Sequence, residues 1–106
     1  MKKFIAFLAL SSVAYGVAAA ALVGDPKAAE GKIAMCIGCH GIPGYRTAFP
    51  DVYQVPMIGG QSQKYLENAL IQYRKGERQH PSMRGIAGSL SDQDIADLAA
   101  YYAQKK

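Results

Sequence analysis

Cys36, Cys39 and His40 stand in the run Cys-Ile-Gly-Cys-His. Residues three apart on a helical turn share a side, so both thiols present one edge and the next residue adds an imidazole. That arrangement suits a porphyrin held covalently. Two thiols form thioethers with two vinyl groups on one edge, and the imidazole of His40 binds the iron, which is the c-type haem attachment pattern. Gly38 leaves room for close approach to the ring. The second imidazole nitrogen is expected to donate to a backbone carbonyl, fixing the ring and raising its basicity, with Pro43 and Pro50 as the neighbours from which that carbonyl is sought.

Other chemistries use two cysteines at this spacing. A thioredoxin-like redox pair needs a preceding strand and a βαβ context, and no such pattern surrounds Cys36. A structural zinc needs about four ligands, whereas only His80 remains beyond the motif. A disulfide across so short a loop would restrain little chain.

The sixth iron ligand decides between electron transfer and the binding of small molecules. The candidates are Met35, Met57, Met83 and His80. Met35 adjoins Cys36 and shares its side of the iron. Met57, between Pro56 and Ile58, reads as a core filler. Met83 follows Pro81 in a segment read as irregular, a few residues before the last helix, with ample chain from His40 to cross a ring. The alternatives are a packing role for Met83 and ligation by His80, which otherwise reads as a solvated turn residue.

These residues must be positioned by helices, because no stretch alternates like a strand. Asp25 is a plausible N-cap and Pro26 suits the first helical position, opening a first helix over residues 27–37. From Gly38 to Gly60, glycines and prolines recur and mark loop and turn; a loop that long in a small domain wraps something or serves a function. Residues 62–75 form a second helix with Tyr65, Leu66, Ala69, Leu70 and Tyr73 on one apolar face, ended by Gly76. Residues 79–88 read as a short irregular segment with at most one helical turn. Ser91 caps a last helix whose first-turn acids suit the helix dipole, with Ile95, Leu98 and Tyr102 inward. The fold class is all-α: three main helices plus short turns.

The chain has 106 residues and a formal net charge of +4, enough for one domain. Lys2 and Lys3, the apolar run from Phe4 to Leu10 and Ala18-Ala19-Ala20 compose a secretory signal peptide. Residues 1–20 are therefore expected to be a leader, cut near 19–21, with an uncleaved membrane anchor as the alternative, and residues 21–106 the folded domain in the periplasm. The basic residues are scattered, which excludes a nucleic-acid stripe. Once the leader is removed, no stable membrane insertion is expected. A small core of this kind often carries a staple such as a cofactor.

Taken together, these residues resemble the class I cytochromes c, of the small monohaem kind found in bacterial periplasms. The resemblance runs through Gly31, Cys36-x-x-Cys39-His40-Gly41, Pro56, Gly60-Gln61, Tyr65-Leu66, Gly76, Arg78, Met83, Leu90-Ser91, Asp94-Ile95 and Tyr101-Tyr102. It implies the cytochrome c fold around one covalent haem c, with His40 and Met83 as axial iron ligands. It also implies crossing first and last helices, with Gly31 admitting an aromatic of the last. Residues 42–54 match only loosely; Tyr45, Arg46 and Tyr53 there are candidate partners of the haem propionates or a plain polar surface. Tyr65, Leu66, Leu70, Ile86, Ile95 and Leu98 are the expected pocket. The function implied is a monomeric, non-enzymatic electron carrier meeting redox proteins transiently. The alternatives are a gas-binding or sensing module and an electron-transfer subunit of a larger periplasmic redox complex.

Overall fold

A computed structural model describes residues 22–49 and 51–105; the expected leader lies outside them. Five helices follow one another: α1 Pro26–Ala29, α2 Ala34–His40, α3 Gln63–Lys75, α4 Pro81–Gly88 and α5 Asp92–Gln104. Among the described residues there is no strand, only one antiparallel bridge between Arg46 and Gln54. None of these helices is long and apolar enough to cross a membrane.

The expected single helix over 27–37 is two helices. Asp25 caps α1 as anticipated, its carboxylate accepting from the Lys27 N–H at 3.0 Å. The chain then tightens through Glu30–Ile33, where the N–H groups of Glu30 and Lys32 bond only three residues back. Gly31, a weak helix former, sits in that break.

The segment expected to be irregular is helix α4. Pro81 begins it at the position where a missing N–H costs nothing. Its cap is His80, whose Nδ1 accepts the Met83 N–H at 3.4 Å. Met83 therefore lies within a helix rather than on a non-helical approach.

Helices α3 and α5 follow the sequence closely. Ser62 caps α3 through Tyr65 N–H at 3.3 Å, and Gly76 ends it in the left-handed region at φ 78°. Ser91 and Asp94 form a reciprocal capping box on α5, with bonds of 3.1 and 2.9 Å. α5 packs on both α1 and α3, and α3 packs on α4. Ala29, Leu90, Ile95 and Leu98 form the buried centre, with Ile33, Cys36, Leu70 and Tyr102 packed against it.

First and last helices do pack together, but the close approach is not at Gly31. A Cβ at Gly31 would meet nothing within 4 Å, whereas one at Gly24 would stand 2.1 Å from the Ala96 carbonyl oxygen. The segment preceding α1 is thus pressed onto α5. It is also held there by Asp97, a carboxylate only 2 % exposed. Asp97 accepts from Asp25 N–H (2.8 Å), Lys32 Nζ (3.0 Å) and Gln93 Nε2 (2.8 Å). Lys32 also pairs with Asp94 at 2.6 Å.

Residues 41–49 and 51–60 belong to a loop closed by that Arg46–Gln54 bridge and by the Val55 N–H to the Tyr45 carbonyl at 2.9 Å. Its far end is tied to α5 by the Gly60 N–H donating to the Tyr102 carbonyl at 2.8 Å. Met57, expected as core filler, is 56 % exposed on this loop.

Candidate haem site

No residue of α2 is buried. A helix this short gains almost nothing from its own hydrogen bonds, and its half-buried side, Cys36, Cys39 and His40, is held by the core and by the loop. That side looks into a cavity of about 320 Å³.

Cys36, Cys39 and His40 line the cavity from α2 and Met83 lines it from α4. The four residues named from sequence are therefore brought to one space. Tyr65, Leu66, Ala69, Leu70 and Tyr73, the face anticipated for α3, form another wall, and Leu98 and Tyr102 close it from α5. Ile95, expected among them, is buried in the centre behind this wall and does not reach the cavity.

His40 Nδ1 lies 2.6 Å from the carbonyl oxygen of Pro56. A carbonyl only accepts, so Nδ1 carries the hydrogen and Nε2 keeps its lone pair, the form that binds a metal. The expected carbonyl exists, but it belongs to Pro56 rather than to the neighbourhood of Pro43 or Pro50. The loop thus works as a strut that aims the imidazole.

The two cysteines carry no disulfide. Burial pushes the Cys36 thiol above its ordinary value, the opposite of what an attacking redox cysteine needs. Burial, and after it the neighbouring Cys36, push the Tyr102 phenol up to about 12. Its hydroxyl is buried without a hydrogen bond of good geometry, beside the Cys36 thiol. Among the described residues no three of His, Cys, Asp and Glu gather into a metal site, so a structural zinc has no ligand set here.

The donor set fits an iron porphyrin. Two thiols and an imidazole with a free nitrogen share one helix, a thioether stands on another element, and the walls between are largely apolar and aromatic. An orphaned hydroxyl on the same wall marks a surface that the protein alone leaves incomplete.

Of the lining residues, sequence reasoning gives Arg78 no pocket role and names His80 only as an alternative iron ligand. His80, read as solvated, lines the cavity and packs its ring on Tyr53 with centroids 4.8 Å apart. Arg78 also lines it, held by Tyr65. The position of His80 before Pro81 was the available signal, since a residue preceding a first-position proline is a natural cap. Of the loop candidates, Tyr53 reaches the cavity, while Tyr45 and Arg46 do not line it.

Comparison with known proteins agrees with this geometry. The family profile described as cytochrome c matches residues 28–105. Cytochrome c-554(548) of Halomonas halodenitrificans is 43 % identical over 86 residues, covering 78 % of this chain and 99 % of that protein. Cytochrome c4 of Pseudomonas aeruginosa is 39 % identical over 106 residues, all of this chain but 50 % of that protein. The crystal structure of reduced recombinant cytochrome c4 from Pseudomonas stutzeri superimposes with a TM-score of 0.64 at 34 % identity, covering 79 % of this chain and 47 % of that one. The chain thus spans nearly all of one relative and about half the length of the cytochromes c4. With its Cys-x-x-Cys-His cavity and a profile match over most of its length, the chain belongs to the cytochrome c family, whose cofactor is a covalent haem c.

Proposed function

We propose that this cytochrome is an exported, periplasmic one-electron carrier, not an enzyme, with its haem c joined to Cys36 and Cys39 and its iron ligated by His40 and Met83. The observation that carries the reading is the meeting of those four side chains on one apolar cavity, with His40 Nδ1 already occupied by Pro56.

Bound haem c supplies reversible Fe(III)/Fe(II) cycling. The protein's share is to hold, shield and bias it. His40, fixed by the Pro56 carbonyl, offers Nε2 in one orientation. Met83, on a capped helix, offers a soft thioether that favours the ferrous state and so raises the potential. Leu66, Leu70, Ile86 and Leu98 exclude water and disfavour the extra charge of the ferric state. Residues supplied by helices and a strapped loop need not rearrange between oxidation states.

Residues 1–20 serve as the leader, cut near 19–21, and residues 21–106 as the working domain. Electrons pass to and from protein partners in brief encounters of the kind usual for redox pairs, with the chain as a monomer.

The test is a pair of visible spectra, oxidised and reduced, of protein exported from a host that matures c-type haem. A Met-to-iron charge-transfer band lost in Met83→Leu supports the assignment. A band that survives the substitution removes Met83 from it, and intact mass reports leader cleavage and haem addition together.

A further inference from the structure

His40 is aimed by the Pro56 carbonyl, so it is aimed only as firmly as Pro56 is placed. Burial does little to place it. Pro56, Met57, Gly59 and Gly60 are exposed, while Ile58 is half-buried and lines the cavity. The stretch is held instead by main-chain bonds at its two ends. At one end the Val55 N–H donates to the Tyr45 carbonyl, inside the same loop. At the other the chain turns through Gly59 and Gly60, with the Gln61 N–H on the Ile58 carbonyl at 3.3 Å. Gly60 takes the positive φ, 81°, that such a turn asks of its third residue.

This turn lies against the end of α5. The Gly60 N–H donates to the Tyr102 carbonyl at 2.8 Å, in the last helical turn, where carbonyls need partners from outside the helix. A Cβ on Gly60 would stand 2.9 Å from the Lys105 carbonyl oxygen, and one on Gly59 would stand 3.1 Å from the Lys105 Cβ. Turn and helix end therefore meet without room for a side chain. Lys105 is itself steadied, its ammonium 4.6 Å from the centre of the Tyr101 ring. Behind this end, α5 is fixed by the buried Ile95, Leu98, Ala99 and Ala100. Among the described residues, the bond to Tyr102 is the main-chain link from this loop to a helix other than α2. Tyr102 thus meets α2 by two routes. Its ring lies beside the Cys36 thiol, and its carbonyl reaches His40 through Gly60 and Pro56.

We propose that the end of α5 anchors the iron's histidine: the Tyr102 carbonyl, by holding Gly60, keeps the Pro56 carbonyl on His40 and so sets how strongly the imidazole donates. The inference rests on His40 as a ligand in a cavity that holds haem c, as above. Gly59 and Gly60 are positioning residues, since they act through Pro56 and do not line the cavity. A ring nitrogen that gives its hydrogen to a carbonyl makes the opposite nitrogen more basic, and a more basic ligand favours the ferric state. Loosening the anchor therefore raises the reduction potential and frees the His40 Nδ1–H together.

The experiment uses the haem-loaded protein and four variants: Gly60→Ala, Gly59→Ala, Gly59→Ala combined with Lys105→Gly, and Gly24→Ala. Two quantities are read: the equilibrium potential, and hydrogen exchange of the His40 Nδ1–H by NMR on ferrous protein carrying isotope-labelled histidine. Gly60→Ala is expected to raise the potential and to speed exchange by about tenfold, the local loosening that a misfitted methyl group brings. Gly59→Ala is expected to move both in the same direction by less, and removing the Lys105 side chain it meets is expected to restore both. Gly24→Ala, pressed on the other end of the fold, is expected to cost stability and move neither. Wild-type values in Gly60→Ala overturn the proposal, and so does either quantity moving alone. Equal movement in Gly24→Ala also overturns it, because any loosening of the fold would then serve. If Gly60→Ala does not accumulate, the Gly59 pair decides: a change that Lys105→Gly reverses supports, and no change or an unreversed one overturns. Failure of the underlying reading looks different, since wild-type protein would then lack a haem spectrum altogether.

Discussion

The N–H of Met83 donates to Nδ1 of His80 at 3.4 Å, so the side chain proposed to bind iron hangs from a helix turn capped by a histidine. Capping is usually the work of Ser, Thr, Asp or Asn. Asparagine should therefore replace His80 in this role. His80→Asn is expected to keep the charge-transfer band and stability, whereas His80→Ala loses about 1 kcal/mol and weakens the band. Denaturant unfolding and the near-infrared spectrum of the haem-loaded variants read both.

Gly24, rather than the Gly31 that the family resemblance points to, should be the position that tolerates no side chain. A methyl group at Gly24 collides with the Ala96 carbonyl, while one at Gly31 enters open space. Gly24→Ala is expected to destabilise by about 2 kcal/mol, an overpacking cost. Gly31→Ala should be neutral or stabilise by up to about 1 kcal/mol through the unfolded chain. Thermal melts of the two variants side by side decide it.

Asp97 accepts three hydrogen bonds in near-complete burial. Asp97→Ala leaves the Asp25 N–H without its partner, while the Lys32 ammonium keeps only Asp94 and the Gln93 amide keeps only the Val23 carbonyl. The expected loss is about 3 kcal/mol, the usual result of breaking a buried charged network. Chemical denaturation measures it, and a loss under about 0.5 kcal/mol, the range of an ordinary surface substitution, contradicts the account.

Acid should undo the same corner of the protein. The Lys32 ammonium first, and then the Ser91 N–H and hydroxyl, lower Asp94 from an ordinary 3.8 to about 2. Asp97 is lowered as well, chiefly by the Asp25 N–H. A carboxylate that binds protons less readily when folded stabilises the fold fully above its unfolded value. That stability is lost as pH falls from about 4 towards 2. Asp94→Asn is expected to flatten the dependence in this window, with circular dichroism across an acid titration as the readout.

Much of this architecture was legible because its signals are local. Ser62, Gly76 and the Ser91–Asp94 box bracket α3 and α5 within the chain itself, and the Cys36–His40 spacing needs no tertiary knowledge. α4 was hidden by its own punctuation: Pro81, Gly85 and Gly88 read as loop, yet a proline at the first helical position starts a helix. The importance of Gly24 depends on Ala96, and the burial of Asp97 depends on Asp25, so neither has a signature in its own neighbourhood. Pro56 likewise reveals its carbonyl as the histidine's partner only when the loop is folded. His80 was misread because an imidazole is an uncommon helix cap.

Asp25 and Asp97 stand 72 positions apart and are joined by a hydrogen bond. A contact of such sequence separation is entropically expensive to reach early. A chain emerging from its amino end must complete α5 before this clasp can shut. Until then the wall that Leu98, Ala99 and Tyr102 give the cavity is missing, and the thiols of Cys36 and Cys39 face an open side.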